Sequence, residues 1–273
     1  MAHQRGEYLL ARAPNEVERL RAWGRIWEPA AEAVLDAIQV QPGWRCADLG
    51  CGPMGLLGAL SRRAGPTGRV VGVDFNPAQV AAAQEFANNR GYSNVEVVQA
   101  DAYQTGLPDA AFDLVHVRFV FTPLGRDEVL LAEMLRLTRP GGILLIEESD
   151  EAGYQAYPPQ PAWDRLKALA VEAFGRGGGD YNAGRRMYSL LRQAGLEGID
   201  ARAAVLALPA GHPYRLWPLE SAAALRPRIL EWGLTTPAEL DAIMDECERI
   251  ANDPQVFLTS FIVVQVWGRK PGG

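Results

Sequence analysis

The sequence predicts an α/β fold, a mainly parallel sheet flanked by helices, on three observations. Short β-branched or apolar runs at 45–49, 69–73, 95–98, 112–117 and 143–146 alternate with stretches of helical periodicity, the pattern of βαβ units. The first run ends in D-L-G-C-G-P-M-G, a glycine turn leading into a helix expected from about Pro53. Two later runs, 199–208 and 255–267, bring the strand candidates to seven.

The glycine turn lies where an open α/β sheet binds ligands, outside the carboxyl end of a strand. Gly50 and Gly52 tolerate positive φ and let a ligand lie against the peptide planes, and Pro53 suits the first position of a helix. Gly50, Gly52 and Gly55 also satisfy G-x-G-x-x-G, the dinucleotide fingerprint, which by itself is a weak signal. Two neighbours point elsewhere. Asp48 would present a carboxylate, better suited to an ammonium than to a pyrophosphate, and Pro53 removes an amide that a pyrophosphate would use. The alternative for Asp48 is bonding to backbone amides of the turn.

Ahead of the turn, 14–39 reads as helical, with Leu20, Trp23, Trp27, Val34, Leu35 and Ile38 at three-to-four spacing; Pro29 is expected to divide it into two helices. Trp27 reads as core. Behind it, helices are expected at 56–63, 77–90 and 127–138, and Asp113 reads as structural because it starts its strand.

Composition narrows the partner. The 273 residues suffice for one sizeable α/β domain with insertions. A hydrophobic content of 48% and a mean hydropathy of −0.10 describe an ordinary globular protein. The net charge of −6 comes without a basic cluster, which argues against nucleic acid and for a small molecule. Cys46, Cys51 and Cys247 form no C-x-x-C pair and, with only three histidines, give no metal-ligand cluster. No apolar run reaches signal-peptide or membrane-helix length, so a cytoplasmic protein without membrane contact is expected. A homo-oligomer stays open.

The turn, followed by V-V-G-V-D-F-N-P near 70–77, Q-A-D-A at 99–102, F-D-L-V-H-V-R-F at 112–119 and R-P-G-G at 139–142, resembles the class I S-adenosylmethionine-dependent methyltransferases. The likeness is to the branch of ubiquinone and menaquinone biosynthesis enzymes and natural-product methyltransferases, and covers about residues 40–200 in order. One departure is Met54, where that family usually has a third glycine. The resemblance implies a Rossmann-like seven-stranded sheet whose last strand is antiparallel, with a helical cap. Helices within 1–39 and insertions at about 151–181 and 209–253 would build the cap, the domain proper running 40–273.

It also implies S-adenosylmethionine as cofactor, with S-adenosylhomocysteine as product, held by Asp48, Gly50, Cys51, Gly52, Asp74, Phe75, Asp101, Ala102 and Arg118. Asp74 would accept from both ribose hydroxyls, a role a dinucleotide also predicts. Asp101 would accept from the adenine amino group while the Ala102 N–H meets a ring nitrogen, and a nicotinamide enzyme has no need of that acid. Arg118 would contact the methionyl part, with Tyr8 a minor candidate for its carboxylate. His116 is the candidate general base, against a core histidine. Glu147, Glu148 and Asp150, expected past the end of a strand, offer a base or a site for a cationic group, against plain solvation.

Tyr154, Tyr157, Trp163, Phe174, Tyr214 and Trp217 in the insertions are candidates for a flat, apolar pocket. The expected activity is in-line methyl transfer to a small, aromatic or polyketide-like acceptor. A cyclase or other non-methylating use of the same cofactor is the alternative, with a nicotinamide-dependent oxidoreductase behind it.

Overall fold

The computed structural model describes residues 16–272; Tyr8 lies outside them. In chain order the strands are β1 (Arg45–Leu49), β2 (Arg69–Asp74), β3 (Val95–Gln99), β4 (Phe112–Arg118), β5 (Thr138–Asp150), β6 (Ala156–Tyr157), β7 (Glu197–Ala204), β8 (Ala207–Leu208), β9 (Phe257–Thr259) and β10 (Ile262–Arg269). The helices are α1 (Glu16–Ile38), α2 (Leu57–Ala64), α3 (Pro77–Asn89), α4 (Phe121–Leu124), α5 (Asp127–Leu137), α6 (Pro161–Arg176), α7 (Gly184–Gln193), α8 (Trp217–Glu231) and α9 (Pro237–Asn252).

Seven strands form one sheet in the order β3-β2-β1-β4-β5-β10-β7. Neighbours from β3 to β5 run parallel, and β10 runs antiparallel to both β5 and β7, as expected of the last strand. The chain builds outward from β1 in both directions, so the strand order switches between β1 and β4. A crevice therefore opens at their carboxyl ends.

Helices cover both faces because the central strands bury apolar side chains on both. Val34 and Leu35 of α1 pack with Leu57, Leu60 and Ala83 on one face. Leu130 and Met134 of α5 pack with Met187 and Leu191 of α7 on the other. Each such buried aliphatic side chain contributes about 1.5–3 kcal/mol. A third core joins α6, α8 and α9 into a cap through residues such as Trp163, Leu225 and Leu240, with Trp27 of α1 buried in it.

Four expectations change. Helix α1 runs unbroken through Pro29: a proline deletes one ladder bond, and the buried stripe from Trp27 to Ile38 holds both halves in line. Helix α2 starts at Leu57 rather than Pro53, because Gly52 and Gly55 at φ +56° and +40° keep the intervening residues in a turn. Strand β5 continues to Asp150, several residues further than its apolar run, because β10 pairs with it along Ile143–Asp150. Lastly, 199–208 and 255–267 each divide, and their inner portions form a second sheet, β6-β9-β8. Ser260 sits at the crossing, its hydroxyl accepting from the Leu206 N–H at 2.9 Å and its own N–H donating to Leu206 O at 3.0 Å.

Within the cap, the buried Arg215 guanidinium donates to five carbonyls: Ala251 at 2.6 Å, Leu208 at 2.8 Å, and Val256, Ile250 and Asp253 at 3.0 Å. Three of these belong to the C-terminal end of α9, where helix carbonyls lack partners and the dipole favours a cation.

Candidate functional site

A cavity of about 210 Å³ opens at the carboxyl ends of β1, β2 and β4 and reaches under the cap. One water needs roughly 10–15 Å³ on this measure, so the space is ligand-sized. Its floor is the glycine turn. The N–H groups of Gly50 and Cys51 donate to Val73 O at 2.7 and 2.9 Å, hooking the turn over the end of β2. A Cβ on Gly52 would meet nothing within 4 Å, so the peptide there faces open cavity. Cys51 lines the wall, and burial pushes its thiol well above the usual range, a packed rather than a reactive sulfur.

Asp48 lines the cavity, but both its oxygens are engaged. Oδ2 accepts from the Leu56 N–H at 2.7 Å, and Oδ1 lies 2.7 Å from His116 Nδ1. The carboxylate thus holds the turn and a histidine, so the backbone-bonding role is present together with a place on the cavity wall. His116 is wholly buried and does not line the cavity. Its Nε2 lies 3.1 Å from Glu147 Oε1, and Glu147 Oε2 accepts from Gln265 Nε2 at 2.6 Å. Burial disfavours the imidazolium, but Asp48 and Glu147 outweigh it and raise the pKa to about 9. His116 is therefore a core cation and not the candidate base. It shares a strand face with Arg118 but sits two residues, roughly 7 Å, back from the strand end.

The other three acids are likewise engaged, because β5 runs past them. Burial works against the Glu147 carboxylate, but the bond from His116 and the nearby Arg118 charge hold its pKa below the usual range. Glu148 accepts from the N–H groups of Val120 and Phe121, both at 2.7 Å, and from the Thr122 hydroxyl at 2.5 Å. Burial nevertheless pushes it up to about 7. Asp150 takes two bonds from Arg185, at 2.6 and 2.7 Å. None of the three lines the cavity, and none is solvated.

The wall formed by β2 and β3 keeps its acids at the cavity. Asp74 accepts from Gly52 N–H and Asn76 N–H, both at 2.9 Å, and burial raises its pKa. Asn76 caps α3 by accepting from Ala78 N–H at 2.9 Å, so Asp74 is not needed there. Asp101 accepts from Tyr103 N–H at 2.9 Å and lines the cavity beside Ala102. Phe75, 56% exposed, stands at the same mouth. Sequence reasoning missed Gln79, which is buried on this wall with its Oε1 unpartnered; its only signal was a place in the first turn of α3. Arg118 reaches the cavity and makes no hydrogen bond or ion pair among the described residues.

The aromatic wall differs in membership from the expected one. Phe174 and Trp217 line it, whereas Tyr154, Trp163 and Tyr214 are buried behind it and Tyr157 is 73% exposed on the small sheet. Trp23, Trp27, Tyr181 and Phe261 complete it. Phe261 arrives because the chain turns between β9 and β10; its ring stacks on Trp27 at 5.4 Å. Among the described residues no cluster of side chains is arranged to hold a metal ion, and no helix is long and apolar enough to cross a membrane.

Residues 47–146 match the model of a methyltransferase domain. A demethylmenaquinone methyltransferase of Staphylococcus carnosus is 30% identical over 159 residues, 55% of this chain and 64% of that protein. The chain thus spans less than two thirds of that relative's length. A putative methyltransferase from Bacillus halodurans superposes with a TM-score of 0.58 at 18% identity, covering 89% of this chain and 99% of that one. The cyclase SpnF superposes with a TM-score of 0.52 at 23% identity, covering 90% and 84%. Both structural likenesses are of fold. Residues 47–146 are thus a methyltransferase domain, and the chain that carries it has the fold of the class I S-adenosylmethionine-dependent methyltransferases.

Proposed function

We propose that the cavity binds S-adenosylmethionine and that the protein transfers its methyl group to a small, planar aromatic or polyketide-like acceptor. The observation that carries this reading is the division of one cavity into two unlike walls. Asp74 and Asp101 line one, and Phe174, Trp217 and Phe261 the other, with the glycine turn and Arg118 between. Asp74 suits the ribose hydroxyls, Asp101 and the Ala102 N–H the adenine edge, and the exposed Phe75 ring its face. Arg118, with no acceptor among the described residues, suits the methionyl carboxylate, which would lie against Gly50, Cys51 and Gly52. The open space at Gly52 and the unpartnered Gln79 Oε1 fit a polar ligand on this wall.

The cofactor supplies a methyl group already activated as a sulfonium. What remains for the protein is alignment and exclusion of water, and the rigid aromatic wall suits both. Of the carboxylates that line the cavity, Asp48, Asp74 and Asp101 stand on the sheet side and Glu16 of α1 lies 3.8 Å from the Arg19 guanidinium, so no base is assigned to the protein. A cavity without a base also suits a rearrangement that needs only a shaped, dry site, in keeping with the cyclase on the same fold. Incubation with S-adenosylmethionine and a panel of hydroxylated naphthalenes, with S-adenosylhomocysteine and a methylated product measured together, tests the proposal. Stoichiometric appearance of both supports transfer; tight cofactor binding with neither product across acceptors that bind contradicts it.

A further inference from the structure

Gln79 is a buried polar side chain on the cavity wall that the fold leaves unused. It is 4% exposed, it lines the cavity, and its Oε1 is buried with no hydrogen-bond donor among the described residues. The start of α3 explains why. Asn76 is the N-cap, so Gln79 stands at the third helical position, where a glutamine ordinarily folds back to accept from the N–H of the capping residue. Here Asp74 Oδ1 accepts from that N–H at 2.9 Å, while the Asn76 side chain accepts from Ala78 N–H at 2.9 Å. The helix start is satisfied without Gln79. An amide oxygen buried without a donor costs stability and is uncommon in a folded protein.

Its place on the wall narrows what it meets. Asp74 ends β2 and Gln79 lies in the first turn of the helix that follows, so the two share one stretch of the cavity. In the sheet order β3-β2-β1 that stretch stands between Asp101, which follows β3, and the glycine turn, which follows β1. Above it runs α1, held against α3 by Arg21, which donates to Ala82 O at 3.3 Å and to Glu85 at 3.2 Å. A ligand laid along this wall with its adenine at Asp101 and its methionyl group at the glycine turn has its ribose at Asp74 and Gln79. A ribose presents two adjacent hydroxyls, each of them a donor. Asp74 has part of its accepting capacity spent on the N–H groups of Gly52 and Asn76, and Gln79 Oε1 offers a second acceptor beside it.

We infer that Gln79 is a second ribose-binding residue, its Oε1 accepting from one hydroxyl of the adenosyl cofactor while Asp74 accepts from the other. This deepens the cofactor reading and rests on it. Amide and carboxylate together select a ribonucleoside over a deoxyribonucleoside, because a missing hydroxyl leaves the buried amide oxygen without a donor.

The test is titration calorimetry of the full chain, wild type and Gln79→Met, with S-adenosylhomocysteine and with its 2′-deoxy and 3′-deoxy counterparts. Methionine keeps the length and helix propensity of glutamine and removes the amide. The substitution should weaken S-adenosylhomocysteine by roughly three- to tenfold. One of the two deoxy compounds should bind wild type and variant alike, since the hydroxyl that Gln79 recognises is already gone. The Tm of Gln79→Met without ligand should equal or exceed that of the wild type, because an unsatisfied polar group has been removed; a residue that only supports the fold would lower it. Wild-type affinity of Gln79→Met for S-adenosylhomocysteine overturns the inference, and so does a loss that is the same for all three compounds. Failure of the wild-type protein to bind S-adenosylhomocysteine overturns the cofactor reading and this assignment with it, whereas binding indifferent to Gln79 overturns the assignment alone.

Discussion

His116 Nδ1 lies 2.7 Å from Asp48 Oδ1, and the two residues face each other in register across β1 and β4. The same imidazole meets Glu147 on β5, which meets Gln265 on β10, whose amide also donates to Ala30 O of α1 at 3.1 Å. A buried polar chain therefore crosses four strands and ties the glycine turn to the helix above it. Its role is positional: it fixes Asp48, and Asp48 fixes the turn.

Replacing His116 by Gln should therefore damage the fold more than the chemistry. Removing one member of a buried charged set strands its partners, a loss on the order of 3–5 kcal/mol. We expect a clear fall in Tm with methyl transfer retained per folded molecule. A His116→Gln protein with wild-type Tm and abolished transfer would restore the histidine to catalysis.

The same groups set the pH dependence of stability. The pKa of folded His116 is raised to about 9, above its ordinary 6.5, so its contribution is full below the ordinary value and is lost as pH rises through about 9. Glu148, raised by burial to about 7 from an ordinary 4.5, acts in the same direction over a lower range. Asp150, held down chiefly by its bonds from Arg185, acts oppositely and loses its contribution on acidification. Thermal unfolding followed by circular dichroism should show the highest Tm in mildly acidic solution, near pH 5–6, and a decline toward pH 9. A Tm that climbs from pH 6 to 9 would contradict the protonated state of His116.

Gly55 is required by contact as well as by φ. Its φ is +40°, and a Cβ there would press into the Asp48 carboxylate. Gly55→Ala should displace Asp48 Oδ2 from Leu56 N–H and cost both stability and cofactor affinity, on the order of 2–4 kcal/mol in stability. Gly52→Ala meets open space and carries only the strain of its φ, so its main effect should be on ligand binding. Denaturant titration of the pair, beside their cofactor affinities, checks the ordering; equal stability of the two variants would sink it.

Arg215→Met should unfold the cap more readily than the sheet domain. Five carbonyls lose a charged donor that nothing nearby replaces, a cost on the order of 3–5 kcal/mol. Hydrogen exchange should show protection lost first in α8 and α9, and uniform loss across β1 and β4 would argue against a separate cap core.

What could be read from the sequence was what has local punctuation. Asp74 and Asp101 follow or end β-branched runs and precede a turn, so their place at the ligand end was legible. The extension of β5 to Asp150 was not, because the residues that prolong it are themselves acidic and their pairing partners lie on β10. Glu147 and Glu148 consequently looked open when they are interior. The register of Asp48 with His116 was derivable in principle, by aligning the ends of β1 and β4, and would have marked the histidine as core. Arg215 has carbonyl partners, which carry no residue-type signal. Tyr181 and Phe261 reach the cavity through a loop and a strand break, and neither had a periodicity to expose it.

The central claim is that the wall bearing Asp74 and Asp101 holds an adenosyl group joined to a methionyl tail, and titration calorimetry tests it most directly. S-adenosylmethionine, S-adenosylhomocysteine and NAD would be titrated in parallel into wild-type protein and Asp101→Ala. Both adenosyl compounds should bind and NAD should not, and Asp101→Ala should weaken the adenosyl compounds by roughly 1–3 kcal/mol. Binding of NAD alone, or adenosyl affinity indifferent to Asp101, would contradict it.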